Sequence, residues 1–239
     1  MTENGLLAGR TALVTGSSRG IGAATAQALA AAGAHVILTG RDARALESVE
    51  DAIHAAGGSA TIAPVDLGET DGIARLAAAL AGRWDTLDAL VISAAYLPQL
   101  GPVTQIDLKQ FGQAITVNLL ATQALLASFD PLLKRSAAGR VIGLTSSVAA
   151  APRAYWGAYA ATKAGFESLL DTYAQEVGTI SPVRVAIVDP GATRTQMRAR
   201  AYPGEDPASV KEPGVVASRI AALLIGGFDN RHRERLDGR

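Results

Sequence analysis

From residue 10 to about residue 188 the chain alternates short runs of β-branched and aliphatic residues with longer Ala- and Leu-rich stretches at helical spacing, and few folds accept that alternation. The short runs read as strands at Thr11–Thr15, His35–Thr39, Ala60–Val65, Ala89–Ser93, Arg140–Thr145 and Arg184–Val188. Their centres are almost continuously apolar, as in strands covered on both faces. The stretches between them read as helices at Ile21–Ala32, Ala43–Ala56, Gly72–Ala81, Leu108–Phe129 and Trp156–Val177, and Gly214–Ile225 adds one more. Strands joined by helices pair in parallel, because the chain must cross back over the sheet before the next strand begins. One parallel sheet with helices on both faces follows, and at 239 residues it forms a single domain over 1–239.

Composition narrows the function. Lys+Arg and Asp+Glu both number 22, so the net charge is zero and no broad field attracts nucleic acid or an anionic membrane. Cysteine is absent, which removes disulfides, thiolate catalysis and Cys-based metal sites. His35, His54 and His232 lack metal-ligand spacing, so no metal is expected. Met1–Arg10 is polar and no apolar run reaches about 18 residues, so neither export nor a membrane span is expected. A soluble cytoplasmic protein is the expectation.

Two stretches carry chemistry. The first strand runs into Thr15-Gly16-Ser17-Ser18-Arg19-Gly20-Ile21-Gly22 and then a helix. Glycine lets backbone approach a pyrophosphate, and a helix N-terminus presents unpaired N–H groups to an anion. The spacing is G-x-x-x-G-x-G. The second stretch is Tyr159-Ala160-Ala161-Thr162-Lys163, which places a phenol and an ammonium on one helix face. A phenol with an ordinary pKa of ~10 is shifted toward general acid/base work by a neighbouring cation.

Together these motifs, in this order and spacing, resemble the short-chain dehydrogenase/reductase family of the classical type, over nearly the whole chain from Gly9 to about Pro213. The resemblance implies a Rossmann-type doubly wound parallel sheet of six or seven strands in three α/β/α layers. It also implies hydride transfer between a nicotinamide cofactor and a carbonyl or secondary alcohol. Carried over residue by residue, it assigns Tyr159 as the proton donor, with Lys163 lowering its pKa and binding the nicotinamide ribose. Asn118 would organise a water on the proton path. A catalytic serine falls on Ser147, twelve residues before Tyr159, with Ser146 as the alternative. Gly16, Ser18, Arg19, Gly20, Ile21 and Gly22 would cradle the pyrophosphate. Asp66, followed by Leu67, would accept from the adenine amino group. Pro190 and Gly191 would line the nicotinamide, and Thr193 or Thr195 would contact its carboxamide, Thr195 matching the pattern better. One departure stands out: the family's Asn-Asn-Ala-Gly is here Ile92-Ser93-Ala94-Ala95, which keeps only Ala94. Ser93 is placed to replace part of the lost strand tie.

Counting from Gly33, the position where NAD-selecting chains carry an acid falls on Gly40, and Arg41 follows it. Arg41 and Arg19 would meet a 2′-phosphate, so NADP(H) is expected over NAD(H). Asp42 caps the next helix. Residues 193–213 are the expected substrate lid, and Tyr96, Tyr155 and Trp156 border the same pocket. Past the last helix only Arg233–Arg239 is available for a seventh strand, which is therefore short or missing. A homo-oligomer, dimer or tetramer, is expected on the helices Leu108–Phe129 and Trp156–Val177. The rival reading is a nucleotide-sensing or scaffold protein that keeps the fold without turnover.

Overall fold

The computed structural model describes residues 5–69 and 71–237. Every strand expected from the apolar runs forms, and a seventh joins them. The strands are β1 (Thr11–Thr15), β2 (His35–Thr39), β3 (Ser59–Ile62), β4 (Ala89–Ile92), β5 (Arg140–Leu144), β6 (Arg184–Asp189) and β7 (His232–Arg235). All pair in parallel, in the order β3-β2-β1-β4-β5-β6-β7. The chain starts at β1, winds outward to β3, then returns to place β4 on the other side of β1. This reversal opens a crevice at the carboxyl ends of β1 and β4, where doubly wound sheets bind ligands.

The helices are α1 (Gly20–Ala31), α2 (Ala43–Ala55), α3 (Gly72–Ala81), α4 (Leu108–Ile115), α5 (Ala121–Arg135), α6 (Ser147–Ala150), α7 (Gly157–Gly178), α8 (Gln196–Ala201) and α9 (Pro213–Gly226). Alternate strand residues feed two separate cores. Ala12, Val14, Val36, Leu38, Val91 and Val188 pack with α1, α2 and α9. Leu13, Ile37, Leu90, Val141, Val185 and Ile187 pack on the other face with α3, α5 and α7. Each fully buried Val, Leu or Ile contributes about 1.5–3 kcal/mol relative to exposure, which is why unbroken apolar strands require both layers. Asp42 caps α2 as expected, its Oδ1 accepting from Ala45 N–H at 3.1 Å.

Several boundaries differ from the sequence pattern. β3 stops at Ile62 rather than Val65, although Ala63 N–H still donates to Leu38 O at 2.8 Å and Val65 N–H to Gly40 O at 3.0 Å. The expected helix Leu108–Phe129 is α4 and α5 joined through a π-turn at Thr116–Leu120, and it continues through Pro131 to Arg135. This 28-residue stretch is apolar enough by length and composition to cross a membrane, yet Leu125, Phe129, Leu132 and Leu133 lie in the second core. Residues expected as an irregular lid contain α8 and a 3₁₀ turn at Pro207–Ser209. β7 is short, as expected, and the last two residues of the stretch considered for it lie outside the described residues.

One glycine sets the height of α7 above the sheet. A Cβ on Gly143 of β5 would collide with Leu170 and come within 2.8 Å of Phe166 Cζ. Glycine there lets α7 lie close on the sheet, which carries Tyr159 and Lys163 to the crevice.

Candidate active site

β1 ends at Thr15, and the loop that follows turns on Gly16 at φ +67. A Cβ at Gly16 would lie 2.8 Å from Ala94 Cα, and one at Gly22 would strike the Gly16 carbonyl. The loop therefore closes only with glycine at these positions, and it leaves bare backbone facing the crevice. At the start of α1 no side chain caps the helix and no acid occupies the first turn, so its N–H groups stay available to an anion. Ser17 anchors the loop to β2, donating from its hydroxyl to Thr39 O at 3.2 Å.

The altered segment after β4 is held from the opposite strand. Thr15 Oγ1 accepts from Ser93 N–H at 3.0 Å and from Ala94 N–H at 3.1 Å, and donates to Val91 O at 3.4 Å. The strand tie expected of the Ser93 side chain is thus made by the buried Thr15 hydroxyl to backbone. Ile92 takes an apolar place in the core at 2% exposure.

A cleft of about 360 Å³ collects most of the expected site. Gly16, Ser18, Arg19, Gly20, Ile21 and Gly22 line one wall. Arg41, Asp66, Leu67 and Ala94 line the next part, and Tyr159, Lys163, Pro190 and Thr195 the far part. Asp66 Oδ1 accepts from Gly68 N–H at 2.8 Å, and its second oxygen has no hydrogen bond among the described residues. Arg19 and Arg41 are exposed and form no ion pair among the described residues.

Tyr159 and Lys163 share a face of α7 and both are buried. Tyr159 sits among Leu97, Val148 and Ala160, with Met197 packed against them, and its Oη reaches Met197 Sδ at 4.0 Å. Burial, with the Asp189 carboxylate second, pushes the phenol well above its ordinary range. The expected lowering by Lys163 is therefore outweighed. The Lys163 ammonium instead donates to Leu144 O at 2.7 Å and lies 4.2 Å from the centre of the Phe166 ring. Burial lowers its pKa to about 8 against the opposing pull of Glu167 and Asp189. The neutral phenol is thus the resting form.

Several expected residues are not on the cleft wall: Asn118, Ser147 and its alternative Ser146, Gly191, Thr193, and the Tyr155 and Trp156 expected to border the pocket. Asn118 lies in the π-turn, buried: Oδ1 accepts from Tyr96 N–H at 2.7 Å, and Nδ2 donates to Tyr96 O at 2.9 Å and Thr162 Oγ1 at 3.0 Å. It binds the Tyr96 loop to α7, with both amide N–H groups committed. Ser147 Oγ is engaged by Arg153 Nη2 at 2.5 Å, whereas the Ser146 side chain caps nothing and has no hydrogen bond among the described residues. Gly191 packs behind Pro190, its Cβ position 2.5 Å from Leu236 O. Thr193 is 3% exposed and donates to Pro190 O at 3.0 Å, so Thr195 is the threonine on the cleft wall.

The cleft also contains residues not singled out from the sequence, among them Gln113, Val117, Thr145, Met197 and Arg200. Gln113 and Val117 stand four apart on one face of α4 and the π-turn, a signal visible in the sequence once a helix face is known to border the crevice. Arg200 and Thr15 had no local signal, because each acts on backbone far away in sequence.

Fold and cleft together define a Rossmann-type α/β protein with a glycine loop at the switch point of its sheet. The family model for short chain dehydrogenases matches residues 10–206. The uncharacterized oxidoreductase YciK of Escherichia coli K12 is 35% identical over 231 residues, covering 95% of this chain and 90% of that protein. A short chain dehydrogenase of Shigella flexneri 2a, complexed with NADP, superposes with a TM-score of 0.91 at 33% identity, over 97% of both chains. Another from Escherichia coli CFT073, complexed with NADPH, gives 0.91 at 34% identity, over 97% of this chain and 98% of that one. The chain belongs to the short-chain dehydrogenase/reductase family, a family of oxidoreductases.

Proposed function

We propose that the protein is an NADP-dependent oxidoreductase that moves a hydride between the nicotinamide and a carbonyl or secondary alcohol. The carrying observation is that the Tyr159–Lys163 pair and the glycine loop line one cleft. The residues present fit a dinucleotide. A loop that no Cβ can enter and an uncapped helix N-terminus suit a pyrophosphate. Asp66 has a carboxylate oxygen open for the adenine amino group, and Pro190 and Thr195 border the nicotinamide end. Arg19 and Arg41 line the cleft with Gly40, where no acid stands to repel a 2′-phosphate, and neither has an acid partner among the described residues. The NADP and NADPH held by the Shigella and E. coli relatives support the same preference.

When bound, the nicotinamide supplies the hydride in the reducing direction. Tyr159 donates the proton to the carbonyl oxygen, as a phenol kept neutral by burial is prepared to do. The apolar surround of Leu97, Val148 and Met197 keeps bulk water from that oxygen. Lys163 has ammonium protons beyond the one given to Leu144 for a ribose hydroxyl and the phenol. Ser146, whose hydroxyl is uncommitted, takes the place assigned to Ser147 as donor to the substrate oxygen. Asn118 acts as a positioning residue. We assign residues 193–213 as a lid on one catalytic domain. The balanced charge supports work on a small molecule rather than nucleic acid or membrane, in a protein we assign to the cytoplasm.

The test is NADPH oxidation over a panel of ketones and aldehydes, followed at the nicotinamide absorbance. Turnover of several members is expected. Tight NADPH binding without turnover of any would replace this reading by the sensor.

A further inference from the structure

We propose that the natural substrate is an anionic carbonyl compound, its carboxylate or phosphate held by Arg200. The inference rests on the Tyr159 reading above and names the substrate class for that site.

Arg194, Arg198 and Arg200 follow one another just before and along α8, and two of them are neutralised. Arg194 pairs with Glu212. Arg198 grips Glu205 through Nε at 2.7 Å and Nη2 at 2.5 Å, and lies 3.7 Å from the centre of the Tyr202 ring. Arg200 has no acid partner among the described residues. Its one hydrogen bond runs from Nη2 to Leu97 O at 3.2 Å. A guanidinium carries five N–H donors in a planar fork, so most of this one remains open to solvent or ligand. The bond to Leu97 aims the side chain across the crevice rather than away from it, and Arg200 lines the cleft.

The position of Arg200 along α8 assigns it to the substrate rather than the cofactor. Thr195, at the N-cap, adjoins the glycine loop: a Cβ on Gly20 would lie 3.4 Å from Thr195 Cγ2. Arg200 is five residues further on, about 7.5 Å along the axis at 1.5 Å per residue. That end of α8 adjoins Leu97 and Trp156, beside Tyr159, since Ala201 and Met197 pack against the same small cluster.

The electrostatics agree. Among the charged side chains of the cleft wall, Arg19, Arg41, Lys163 and Arg200 are cationic and Asp66 alone is acidic. Asp66 lies at the opposite end, beside Arg41. Arg153, which has no acid partner among the described residues either, donates to Tyr202 Oη at 3.5 Å and adds a second positive charge next to the last turn of α8. A chain of zero net charge thus concentrates positive charge in one crevice, and low-dielectric walls focus that field on an entering anion. The cofactor reading uses Arg19, Arg41 and Lys163. It leaves Arg200, at the α8 end of the cleft, without a role.

The experiment compares methyl ketones of increasing chain length carrying a terminal carboxylate with their methyl esters and with the matching phosphate esters. For the wild type, kcat/KM for the acid or the phosphate should exceed that for the neutral ester about ten- to hundredfold, mostly through KM. Whichever anion is favoured identifies the group. Arg200→Ala should bring the ratio close to one, and Arg200→Lys, a point charge without the fork, should keep part of it. Calorimetric titration of the keto acid into NADP⁺-loaded protein, where no hydride is available, reads the same contact without turnover. About tenfold weaker binding is expected for Arg200→Ala. Esters reduced as well as acids, or an acid preference unchanged in Arg200→Ala, would overturn the proposal while leaving the oxidoreductase reading in place. Arg200-dependent binding of the acid with no ketone reduced would leave the anion site standing and remove the oxidoreductase reading.

Discussion

The ammonium of Lys163 donates to the main-chain carbonyl of Leu144 at 2.7 Å, so the cation expected to serve the phenol is anchored to the last residue of β5. Burial is the larger influence on it, lowering its pKa from an ordinary 10.5 to about 8. Between these values the unfolded chain binds a proton that the folded chain does not. Stability should therefore rise with pH across the window from about 8 to 10.5 and be lowest below it, where a charged ammonium is held buried. Denaturant midpoints measured against pH should show this rise in the wild type and lose it in Lys163→Met.

The same shift couples to the cofactor. A ribose hydroxyl accepting from Lys163 favours the charged form, so NADPH binding near and above pH 8 should take up a proton. Calorimetric titrations in buffers of different ionisation enthalpy should give different apparent heats there. Equal heats would show that Lys163 does not meet the cofactor.

Tyr159→Phe should abolish turnover and leave NADPH binding nearly intact, because it removes the transferable proton and little volume. Lys163→Ala should damage both. Retention of more than about a tenth of wild-type kcat in the Phe variant would rule out the general-acid role.

The two adjacent serines separate by partner. Ser147 is held by Arg153, and the Ser146 side chain has no hydrogen bond among the described residues, so Ser146→Ala should lower kcat by about a hundredfold or more and Ser147→Ala far less. Steady-state kinetics on one ketone decides it, and the reverse ranking would return the role to Ser147.

Arg41→Ala should weaken NADPH binding by on the order of 1.5–3 kcal/mol and hardly change NADH binding. Equal affinity of the wild type for the two cofactors would defeat the 2′-phosphate assignment.

Leu108 and Leu120, at the two ends of the α4 and π-turn stretch, are 80% and 57% exposed. Large apolar side chains left in water along one helical stretch support the expected homo-oligomer. Light scattering at micromolar concentration should give a dimer or tetramer, and Leu120→Lys should shift it toward monomer.

What could be learned from the sequence alone was whatever acts over a few residues. Apolar runs in β1, β2, β4, β5 and β6 marked buried parallel strands, because a strand covered on both faces has no use for alternation. The Tyr159–Lys163 pair and the glycine loop were legible for the same reason: helix spacing and strand-to-helix turns are set by neighbours in the chain. Tertiary structure decided whatever depends on burial or on a distant partner. Asn118 was expected to organise a water, and only the fold showed that its side chain also ties Tyr96 to Thr162. Thr193 stayed an alternative to the better-matching Thr195 until packing turned it to Pro190. Lys163 was expected to lower the phenol pKa, yet desolvation, which no sequence pattern reports, moves both groups toward their neutral forms. Arg200 was one arginine of several until the fold brought it to Leu97, 103 positions away. Acids neutralise its neighbours and none of the described ones reaches it, and only the folded chain determines which charges find a partner.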